Sequence, residues 1–556
     1  MIITIIECRG YIEMKLIMDV ALESGIPESA VEMYGKYKAK LDPEPIRQLV
    51  DRPDGKLVLV TAINPTPAGE GKTLTTIGLS QSLNAIGVRA VAALREPSLG
   101  PCFGMKGGAT GSGQAQIVPA DEINLHFTGD LHAITSAHNL LAAMIDNHLY
   151  YGNALGIHPK KIVWKRAADM NDRSLRSIVT GIGPGNGEVR ESGYLITSAS
   201  EVMAVLCLSE NLDDLKERLS RIIIGYTYTG QPVTAADLSA VEAMAALLRD
   251  AIKPNLVQTL EGTSVIIHGG PFANIAHGCS SVIGTRTALR LGDIAVTEAG
   301  FGAELGAEKF MDIKCRQSGL RPDAAVLVVT VKALKYNGGV KVQELDREDV
   351  QALQQGMSNM RRHLDNLRKF GVPVLAAINH FAGDTDAEIA AIIEECQRLG
   401  VPAEVSKVWA EGSAGGASLA RALVHMLESQ VSQYQPLYPD ELPLTTKIER
   451  IITGIYGGSG AVYSPAAERT LAELQANGFG HLPVCMAKTP YSFSDQPERL
   501  GAPEGFVMNI SRVSLSAGAG FIVVETGNTM TMPGLPRVPA AERMKLEPDG
   551  RIEGLV

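Results

Sequence analysis

Short apolar runs rich in β-branched residues alternate with helical stretches along most of this 556-residue chain. Runs of this length and composition are typical of strands that are buried on both faces of a sheet. The stretch 386–400 instead spaces its apolar residues as an amphipathic helix does, and it closes on a glycine that predicts a C-cap. Strand, helix and strand in repetition predict an α/β fold with a parallel sheet. The predicted strands are 56–64, 88–94, 263–268, 324–331, 372–379 and 401–406.

Composition argues against several classes of partner. The formal net charge of −10 disfavours a nucleic acid or an anionic membrane surface. No apolar run approaches the ~18 residues that span a bilayer. The seven cysteines are scattered and form no C-x-x-C pair, which favours free thiols in a reducing compartment. We therefore predict a cytoplasmic protein with no nucleic-acid partner and no membrane partner.

The segment TPAGEGKT, residues 66–73, follows the strand 56–64 and opens a helix. It fits the phosphate-loop pattern G-x-x-x-x-G-K-[ST] except that Thr66 replaces the first glycine. Backbone N–H groups of such a loop cradle anions, Lys72 reaches the β- and γ-phosphates, and the Thr73 hydroxyl binds Mg²⁺. The alternative is a glycine turn before an ordinary helix. The predicted cofactor-binding residues of this loop are Thr66, Pro67, Ala68, Gly69, Glu70, Gly71, Lys72 and Thr73.

The length of the chain predicts more than one domain, because a single hydrophobic core rarely organises so many residues. A segment rich in proline and tyrosine, YQPLYPDELP, marks a boundary near residue 440, and a weaker boundary lies near 360. The fold class is thus predicted as α/β, with a parallel-sheet nucleotide-binding domain that contains the phosphate loop and two smaller domains around a cleft. The predicted domains are 1–360, 361–440 and 441–556.

Three polar residues further along the chain are predicted as catalytic groups together with Lys72. Arg95 stands at the carboxyl end of strand 88–94, and ligands of open α/β sheets bind beyond such ends. We expect Arg95 to face the transferring phosphate, the alternative being a surface arginine. His126 and Asp130, in INLHFTGDLHAITSAHN, are predicted as catalytic or orienting groups. Their alternative roles are helix capping and core packing.

Five blocks of sequence follow one another along the chain: TPAGEGKTLTTIGLSQSL, REPSLGPCFGMKGGATGSGQAQIVPADEINLHFTGDLHAITSAHNLL, GGPFANIAHG, EAGFGAELGAEKFMDIKCR and MTMPGLPRVPAAE. Together they resemble the formate–tetrahydrofolate ligase (10-formyltetrahydrofolate synthetase) family, in which T-P-x-G-E-G-K-T is the usual form of the phosphate loop. The resemblance runs from about Met14 to residue 556 and is specific, because the blocks are long and keep their order.

This resemblance implies a reaction in which ATP, formate and tetrahydrofolate give ADP, phosphate and 10-formyltetrahydrofolate through formyl phosphate. The small-molecule partners would be formate, tetrahydrofolate and ATP with Mg²⁺. Catalysis would consist mainly of positioning and charge neutralisation, since two anions must be brought together. Domain 1–360 would hold ATP and formyl phosphate. Members of the family are homotetramers activated by a monovalent cation, so the resemblance also implies a homotetramer and activation by K⁺ or NH₄⁺.

Two aromatic residues at strand ends are predicted to bind the folate. Phe381 follows strand 372–379 and Trp409 follows strand 401–406. The matching residues of the family sandwich the flat pterin ring, so the resemblance assigns them this role and makes 361–440 the domain that contributes the folate pocket. Core packing is the alternative for both side chains.

A different class of function stays open from the loop alone, namely a phosphate-loop ATPase that acts as a switch or partitioning protein. The guanine-specifying N-K-x-D element is absent after strand 372–379, where the chain reads NHFAGD, so GTP is disfavoured. Release of ADP that depends on both formate and tetrahydrofolate would distinguish the ligase from such a switch.

Overall fold

The structure, a computed structural model, describes residues 14–49, 53–67, 69–104, 108–527 and 529–555. Ala68, one of the predicted loop residues, and Cys8, one of the seven cysteines, lie outside the described residues. The strands of the described residues are β1 (Val31–Met33), β2 (Ala39–Leu41), β3 (Lys56–Ala62), β4 (Ala90–Leu94), β5 (Gly111–Ser112), β6 (Ala115–Val118), β7 (Ile157–Ile162), β8 (Arg166–Ala168), β9 (Ile178–Thr180), β10 (Arg190–Ser192), β11 (Tyr194–Ile196), β12 (Ile223–Thr227), β13 (Pro232–Thr234), β14 (Asn255–Thr259), β15 (Ser264–Ile267), β16 (Ile294–Glu298), β17 (Ala324–Val329), β18 (Val374–Asn379), β19 (Ala403–Ser406), β20 (Gly460–Tyr463), β21 (Val484–Ala487), β22 (Val507–Ser516), β23 (Phe521–Thr526), β24 (Lys545–Leu546) and β25 (Ile552–Glu553).

Helices cover both faces of the largest sheet and fill the segments between the smaller sheets. The α-helices of the described residues are α1 (Ile17–Glu23), α2 (Pro43–Arg47), α3 (Lys72–Ala85), α4 (Leu99–Phe103), α5 (Ala120–Asn124), α6 (Asp130–Tyr150), α7 (Glu201–Leu208), α8 (Leu212–Ser220), α9 (Val241–Leu248), α10 (Val282–Leu291), α11 (Arg316–Ser318), α12 (Val331–Asn337), α13 (Val350–Lys369), α14 (Asp386–Arg398), α15 (Val408–Glu411), α16 (Ala417–Ser429), α17 (Leu444–Ile451) and α18 (Pro465–Ala476). No helix in the described part of the chain is long and apolar enough to cross a lipid bilayer.

Twelve of the strands in the described ranges form one large sheet, whose main order is β1-β2-β14-β15-β4-β16-β3-β17-β18-β19. From β15 to β19 in this order, neighbouring strands are parallel. The strands β14, β2 and β1 continue the sheet in antiparallel pairs. The sheet is therefore mostly parallel, and the carboxyl ends of its central strands meet along one edge.

The central strand β3 shows why these runs are apolar at every position. Leu57 and Leu59 pack into the core on one face of the sheet, whereas Val58 and Val60 pack into the core on the other face. Helices α12 and α13 contribute to the first core, and α3 and α16 contribute to the second. A strand between two helical layers has no face toward water, so its sequence does not alternate between apolar and polar residues.

The six strands predicted from sequence are all present, as β3, β4, β15, β17, β18 and β19, and all lie in the parallel part of the sheet. The predicted helix 386–400 is α14, which begins with a capping box of Thr385 and Glu388. Gly400 after it has a left-handed φ of 64°, as a glycine C-cap requires. Strand β16 was not among the predictions, although it lies between β3 and β4.

Residues 460–526 contain a second sheet of the order β20-β22-β23-β21, with α17 and α18 against it. Buried side chains on one face of this sheet, such as Val484 and Ile510, belong to the same continuous core as Leu57 of β3, whereas others, such as Cys485 and Phe521, belong to a second core. Residue 360, the predicted boundary, lies inside α13, and β18 after it pairs with β17. The division of the chain at 360 and 441 stays a prediction.

Candidate active site

The phosphate-loop segment lies between the carboxyl end of β3 and the first turn of α3. Gly69 and Gly71 adopt left-handed φ angles of 85° and 73°, which favour glycine. A Cβ atom on Gly71 would also come within 2.5 Å of Nδ2 of Asn379, so the site has no room for a side chain there. Gly71 is the N-cap of α3, and Lys72 is its first residue. The unpaired N–H groups of this first turn point toward the loop, as an anion cradle requires.

Glu70 explains how the loop tolerates Thr66 in place of the first glycine. The backbone N–H of Thr66 donates to Oε1 of Glu70 at 2.6 Å. The hydroxyl of Thr330, at the end of β17, donates to Oε2 of the same carboxylate. The Glu70 side chain is buried, and burial raises its pKa although these hydrogen bonds and the nearby Lys72 act to lower it. The N–H of Thr66 is thus not free to bind a phosphate, and the anion cradle consists of the backbone N–H groups of the loop residues that follow Thr66.

A carboxylate on the neighbouring strand joins the two ends of the candidate site. Glu298 is the last residue of β16, and its Oε2 accepts a hydrogen bond of 2.7 Å from the Thr73 hydroxyl. Its Oε1 lies 3.6 Å from Nε of Arg95, which follows β4. Burial lowers the pKa of Lys72, while Glu298 and then Glu70 act to raise it. Thr73, Arg95 and Lys72 are therefore brought together around Glu298.

Arg95 lies near the phosphate loop even though β4 is not the immediate neighbour of β3. Strand β16 separates the two, and its terminal residue reaches both sides. The Arg95 side chain is 27% exposed, and its Nε has no hydrogen-bond partner among the described residues. Its Nη1 lies 3.1 Å from the position of a Cβ on Gly300, so the glycine leaves room for the guanidinium. A partly exposed cation with free donor capacity at a strand end is suited to binding an anion.

Glu298 is a functional candidate that the sequence predictions missed. The available signal was the run IAVTE, an apolar strand that ends in an acid before a glycine-rich segment. The hydroxyl oxygen of Thr73 and the carboxylate of Glu298 are hard oxygen donors, which suit Mg²⁺. Mg²⁺ at a phosphate site commonly takes only one or two protein ligands, so the pair fits that ion. The described residues contain no group of three or more His, Cys, Asp or Glu arranged for a metal ion.

Asp130 occupies a structural position at the start of α6. Its Oδ1 accepts a hydrogen bond of 2.7 Å from Nζ of Lys40, and its Oδ2 accepts one of 2.8 Å from Nδ2 of Asn255. All three side chains are buried. Asp130 therefore joins α6 to the antiparallel strands β2 and β14, and the hydrogen bonds of its carboxylate go to these two residues rather than to the phosphate loop.

His126 is exposed and lines a separate pocket of about 340 Å³. Glu96, Asp169 and Thr135 also line this pocket. One carboxylate oxygen of the buried Glu96 has no hydrogen-bond partner among the described residues. Burial, followed by the charge of Asp130, raises the pKa of Glu96 well above its usual value. Arg95 and Glu96 are adjacent in sequence, yet one lies beside the phosphate loop and the other lines this pocket.

The two predicted aromatic residues follow the carboxyl ends of neighbouring parallel strands. Phe381 comes two residues after β18, is half-buried, and has Nζ of Lys332 5.4 Å from its ring centre. Trp409, in α15, is 53% exposed. Its carbonyl accepts a hydrogen bond of 2.9 Å from the N–H of Gln114. An indole with this exposure is not packed in a core, so core packing does not account for Trp409.

The glycine-rich segment 108–113 lies against Trp409 at Gly113. A Cβ atom on Gly113 would come within 2.2 Å of the Trp409 carbonyl oxygen and within 2.8 Å of its ring, so only glycine fits there. On the other side, Val408 fills the space beside Gly78 of α3, the helix that follows the phosphate loop. Trp409 itself therefore lies against Gly113, while its neighbour Val408 anchors α15 to α3.

Comparison with protein-family models agrees with the resemblance seen in the sequence blocks. Residues 4–556 match the family described as formate–tetrahydrofolate ligase. The match begins upstream of Met14 and covers essentially the whole chain, and it does not favour a switch ATPase. The substrates of that family are ATP, formate and tetrahydrofolate. The chain therefore belongs to the formate–tetrahydrofolate ligase family, and it is an ATP-dependent ligase of one-carbon metabolism that joins formate to tetrahydrofolate.

Proposed function

We propose that this ligase activates formate as formyl phosphate between the phosphate loop and Arg95. The observation that carries the proposal is the position of Glu298, whose two oxygens contact Thr73 and Arg95 at 2.7 Å and 3.6 Å. This arrangement gathers the loop donors, Lys72 and a guanidinium at one edge of the sheet. A nucleotide phosphate and a small carboxylate can be held side by side there.

In the first step, an oxygen of formate attacks the γ-phosphorus of ATP, and the bond from that phosphorus to the leaving oxygen of ADP breaks. Formate and the phosphoryl group are both anionic, so catalysis consists of positioning and charge neutralisation. Lys72 and the N–H groups after Gly69 donate to the phosphate oxygens. The planar guanidinium of Arg95 donates to formate and to the γ-phosphoryl oxygens together.

Thr73 and Glu298 would hold Mg²⁺ through the hydroxyl and carboxylate oxygens described above. When bound, the ion would neutralise charge on the phosphates of ATP. Within the loop itself, the N–H groups, Lys72 and the start of α3 orient the nucleotide.

In the second step, the N10 amine of tetrahydrofolate attacks the formyl carbon. The bond from this carbon to the phosphate oxygen breaks, phosphate leaves, and N10 loses a proton to give 10-formyltetrahydrofolate. We assign Phe381 and Trp409 to the two faces of the pterin ring. The support for this assignment is the partly exposed indole at the carboxyl end of β19 and the half-buried Phe381 ring after the neighbouring β18.

The pocket that contains His126 is the place we propose for the monovalent cation. The unpartnered oxygen of Glu96 is a suitable ligand, and Asp169 and Thr135 add oxygen atoms to the lining. Among the charges that act on Glu96, Asp130 and Asp169 are negative and only Lys40 is positive, so a cation would balance the group. His126 would then act as an orienting group at this pocket, and Asp130 would act through the position of α6.

Transfer of an oxygen label tests the proposed intermediate. With ¹⁸O-formate, a route through formyl phosphate places one formate oxygen in the phosphate released, because the bond that breaks is the one from carbon to oxygen. Mass spectrometry of the phosphate measures the label, and ADP release is followed with formate and tetrahydrofolate omitted in turn. Phosphate without ¹⁸O would contradict the intermediate. ADP release that needs neither substrate would contradict the ligase assignment at this site.

The homotetramer and the cytoplasmic location are proposals that rest on the family and on composition. Several apolar side chains in the region 157–196 are exposed, and burial of such a surface would favour assembly. Light scattering of the purified chain measures the mass directly, and a monomer mass would contradict the tetramer. The exposed apolar residues are Val163, Met170, Val179, Ile182 and Val189.

A further inference from the structure

Glu70 lies within the phosphate loop, but its carboxylate faces the protein interior. It is 2% exposed, and its two oxygens accept hydrogen bonds from the N–H of Thr66 and from the hydroxyl of Thr330. A carboxylate among phosphates would repel them, so an acid at this position has a use other than binding the nucleotide. Its partners show that it closes the loop on itself at Thr66 and fastens it to the end of β17 at Thr330.

Two separate connections lead from Glu70 to the aromatic residue Phe381. The first passes through Thr330, which is the N-cap of α12, and Lys332 of that helix places its Nζ 5.4 Å from the Phe381 ring centre. The second passes through Asn379, the last residue of β18. Its Nδ2 donates to the backbone carbonyl of Glu70 at 3.3 Å, and Phe381 follows two residues later.

The contact between Asn379 and the loop is close enough to transmit a shift. Nδ2 of Asn379 occupies the space that a side chain on Gly71 would need, 2.5 Å from that Cβ position. Asn379 is 1% exposed and β18 is buried along its whole length, so neither has room to yield independently. A change in the conformation of the loop therefore displaces Thr330 or Asn379, or else breaks a hydrogen bond to Glu70.

We infer that Glu70 is a positioning residue that couples nucleotide binding in the phosphate loop to tetrahydrofolate binding at Phe381, an inference that rests on the proposed role of this aromatic residue. A nucleotide that fixes the loop fixes Glu70, and through Thr330 and Asn379 it holds Phe381 in the orientation that the pterin needs. The coupling is positive, because the second ligand meets a slot that is already arranged. It is also reciprocal, so tetrahydrofolate tightens nucleotide binding by the same factor.

Calorimetric titration of tetrahydrofolate, with and without a saturating non-hydrolysable ATP analogue and Mg²⁺, tests the coupling. For the wild-type protein we expect tetrahydrofolate to bind at least about 5-fold more tightly when the analogue is present. Thr330→Val removes the hydroxyl, and with it the first connection, and should lower this ratio. Thr330→Ser keeps the hydroxyl and should keep the ratio, so the pair separates the hydrogen bond from general effects of substitution.

Asn379→Ala removes the second connection and should also lower the ratio, which keeps the test available if Thr330→Val does not fold. Trp409→Ala is the matched comparison, because it should weaken tetrahydrofolate equally in both titrations and leave the ratio unchanged. The coupling is refuted if the wild type binds tetrahydrofolate tightly but the ATP analogue does not enhance this binding. It is also refuted if the enhancement persists in both Thr330→Val and Asn379→Ala. In either case the proposed tetrahydrofolate slot would still stand. Absence of tetrahydrofolate binding, or binding unaffected by Trp409→Ala, would overturn the proposed slot and this inference with it.

Discussion

Replacing Glu298 by glutamine keeps the size of the side chain and removes a negative charge from the centre of the candidate site. The change weakens the 2.7 Å hydrogen bond from the Thr73 hydroxyl and the 3.6 Å contact with Arg95. A hydrogen bond to a charged group contributes about 1.5–3 kcal/mol. Since about 1.4 kcal/mol corresponds to a factor of ten, kcat/KM for ATP should fall by about 10-fold to 150-fold.

Glu298→Gln should also shift the pH dependence of kcat/KM in one direction. Burial lowers the pKa of Lys72, and Glu298 is the foremost group that opposes this effect. Without the carboxylate, the pKa of Lys72 falls further, and Lys72 loses its proton at a lower pH. The alkaline limb of the pH profile of kcat/KM should therefore move to lower pH, because only the protonated lysine neutralises phosphate charge.

Initial rates of ADP release, measured across neutral and alkaline pH at saturating formate and tetrahydrofolate, give both quantities. Thr73→Val should reproduce part of the loss and Thr73→Ser should not, because serine keeps the hydroxyl that faces Glu298. Circular dichroism checks that each variant is folded. A folded Glu298→Gln enzyme with kcat/KM within about three-fold of the wild type, and with an unchanged alkaline limb, would refute the reasoning.

Substitutions at three further positions test other parts of the structure. Arg95→Ser should keep the ATP affinity measured by calorimetry within about three-fold of the wild type, yet lose formate-dependent ADP release. Arg95→Lys should restore that release poorly, because a point charge cannot bind two oxygens side by side. Loss of ATP binding in Arg95→Ser would contradict the proposed role of Arg95 in binding formate. Trp409→Ala should weaken tetrahydrofolate by about 1–3 kcal/mol, by analogy with base stacking, and leave ATP unaffected; equal losses for both ligands would contradict the stacking. Burial raises the pKa of Glu201 from 4.5 to about 7, so its protonated form stabilises the fold at low pH and this contribution is lost as the pH rises through that interval. Glu201→Gln keeps the acceptor for Gly518 and should remove this loss, so a Tm difference from the wild type that stays constant between pH 4.5 and 7 would contradict it.

The parallel strands could be predicted from sequence because burial on both faces makes every residue of such a run apolar. The order of the strands could not, because no local pattern states that β16 lies between β3 and β4. The phosphate loop can be recognised from sequence because its motif is local. Glu298 cannot be recognised in this way. Its role depends on a contact with Thr73, which lies 225 positions away in the chain.

Asp130 illustrates the opposite limit of sequence reasoning. The sequence shows a lone acid near histidines, but it does not show that this acid pairs with Lys40, 90 positions earlier in the chain. A catalytic role for Asp130 stays a prediction. The loop itself also held a feature that its motif did not reveal. Thr66 stands where a glycine is usual, and only the structure shows that Glu70 accepts its N–H. Long-range partners therefore decide which polar residues are structural and which face a ligand.

The adjacent placement of Arg95 and Glu96 constrains how this protein can change during evolution. Arg95 lies beside the phosphate loop and Glu96 lines the pocket of His126. The end of β4 therefore places a positive charge at the phosphate loop and a carboxylate at the pocket. Substitutions within β4 can preserve this division of roles, because they leave the direction of each side chain intact. An insertion or deletion of one residue in β4 would shift the register of the strand and displace both residues that follow it. Homologous chains should therefore vary in the composition of this strand but not in its length.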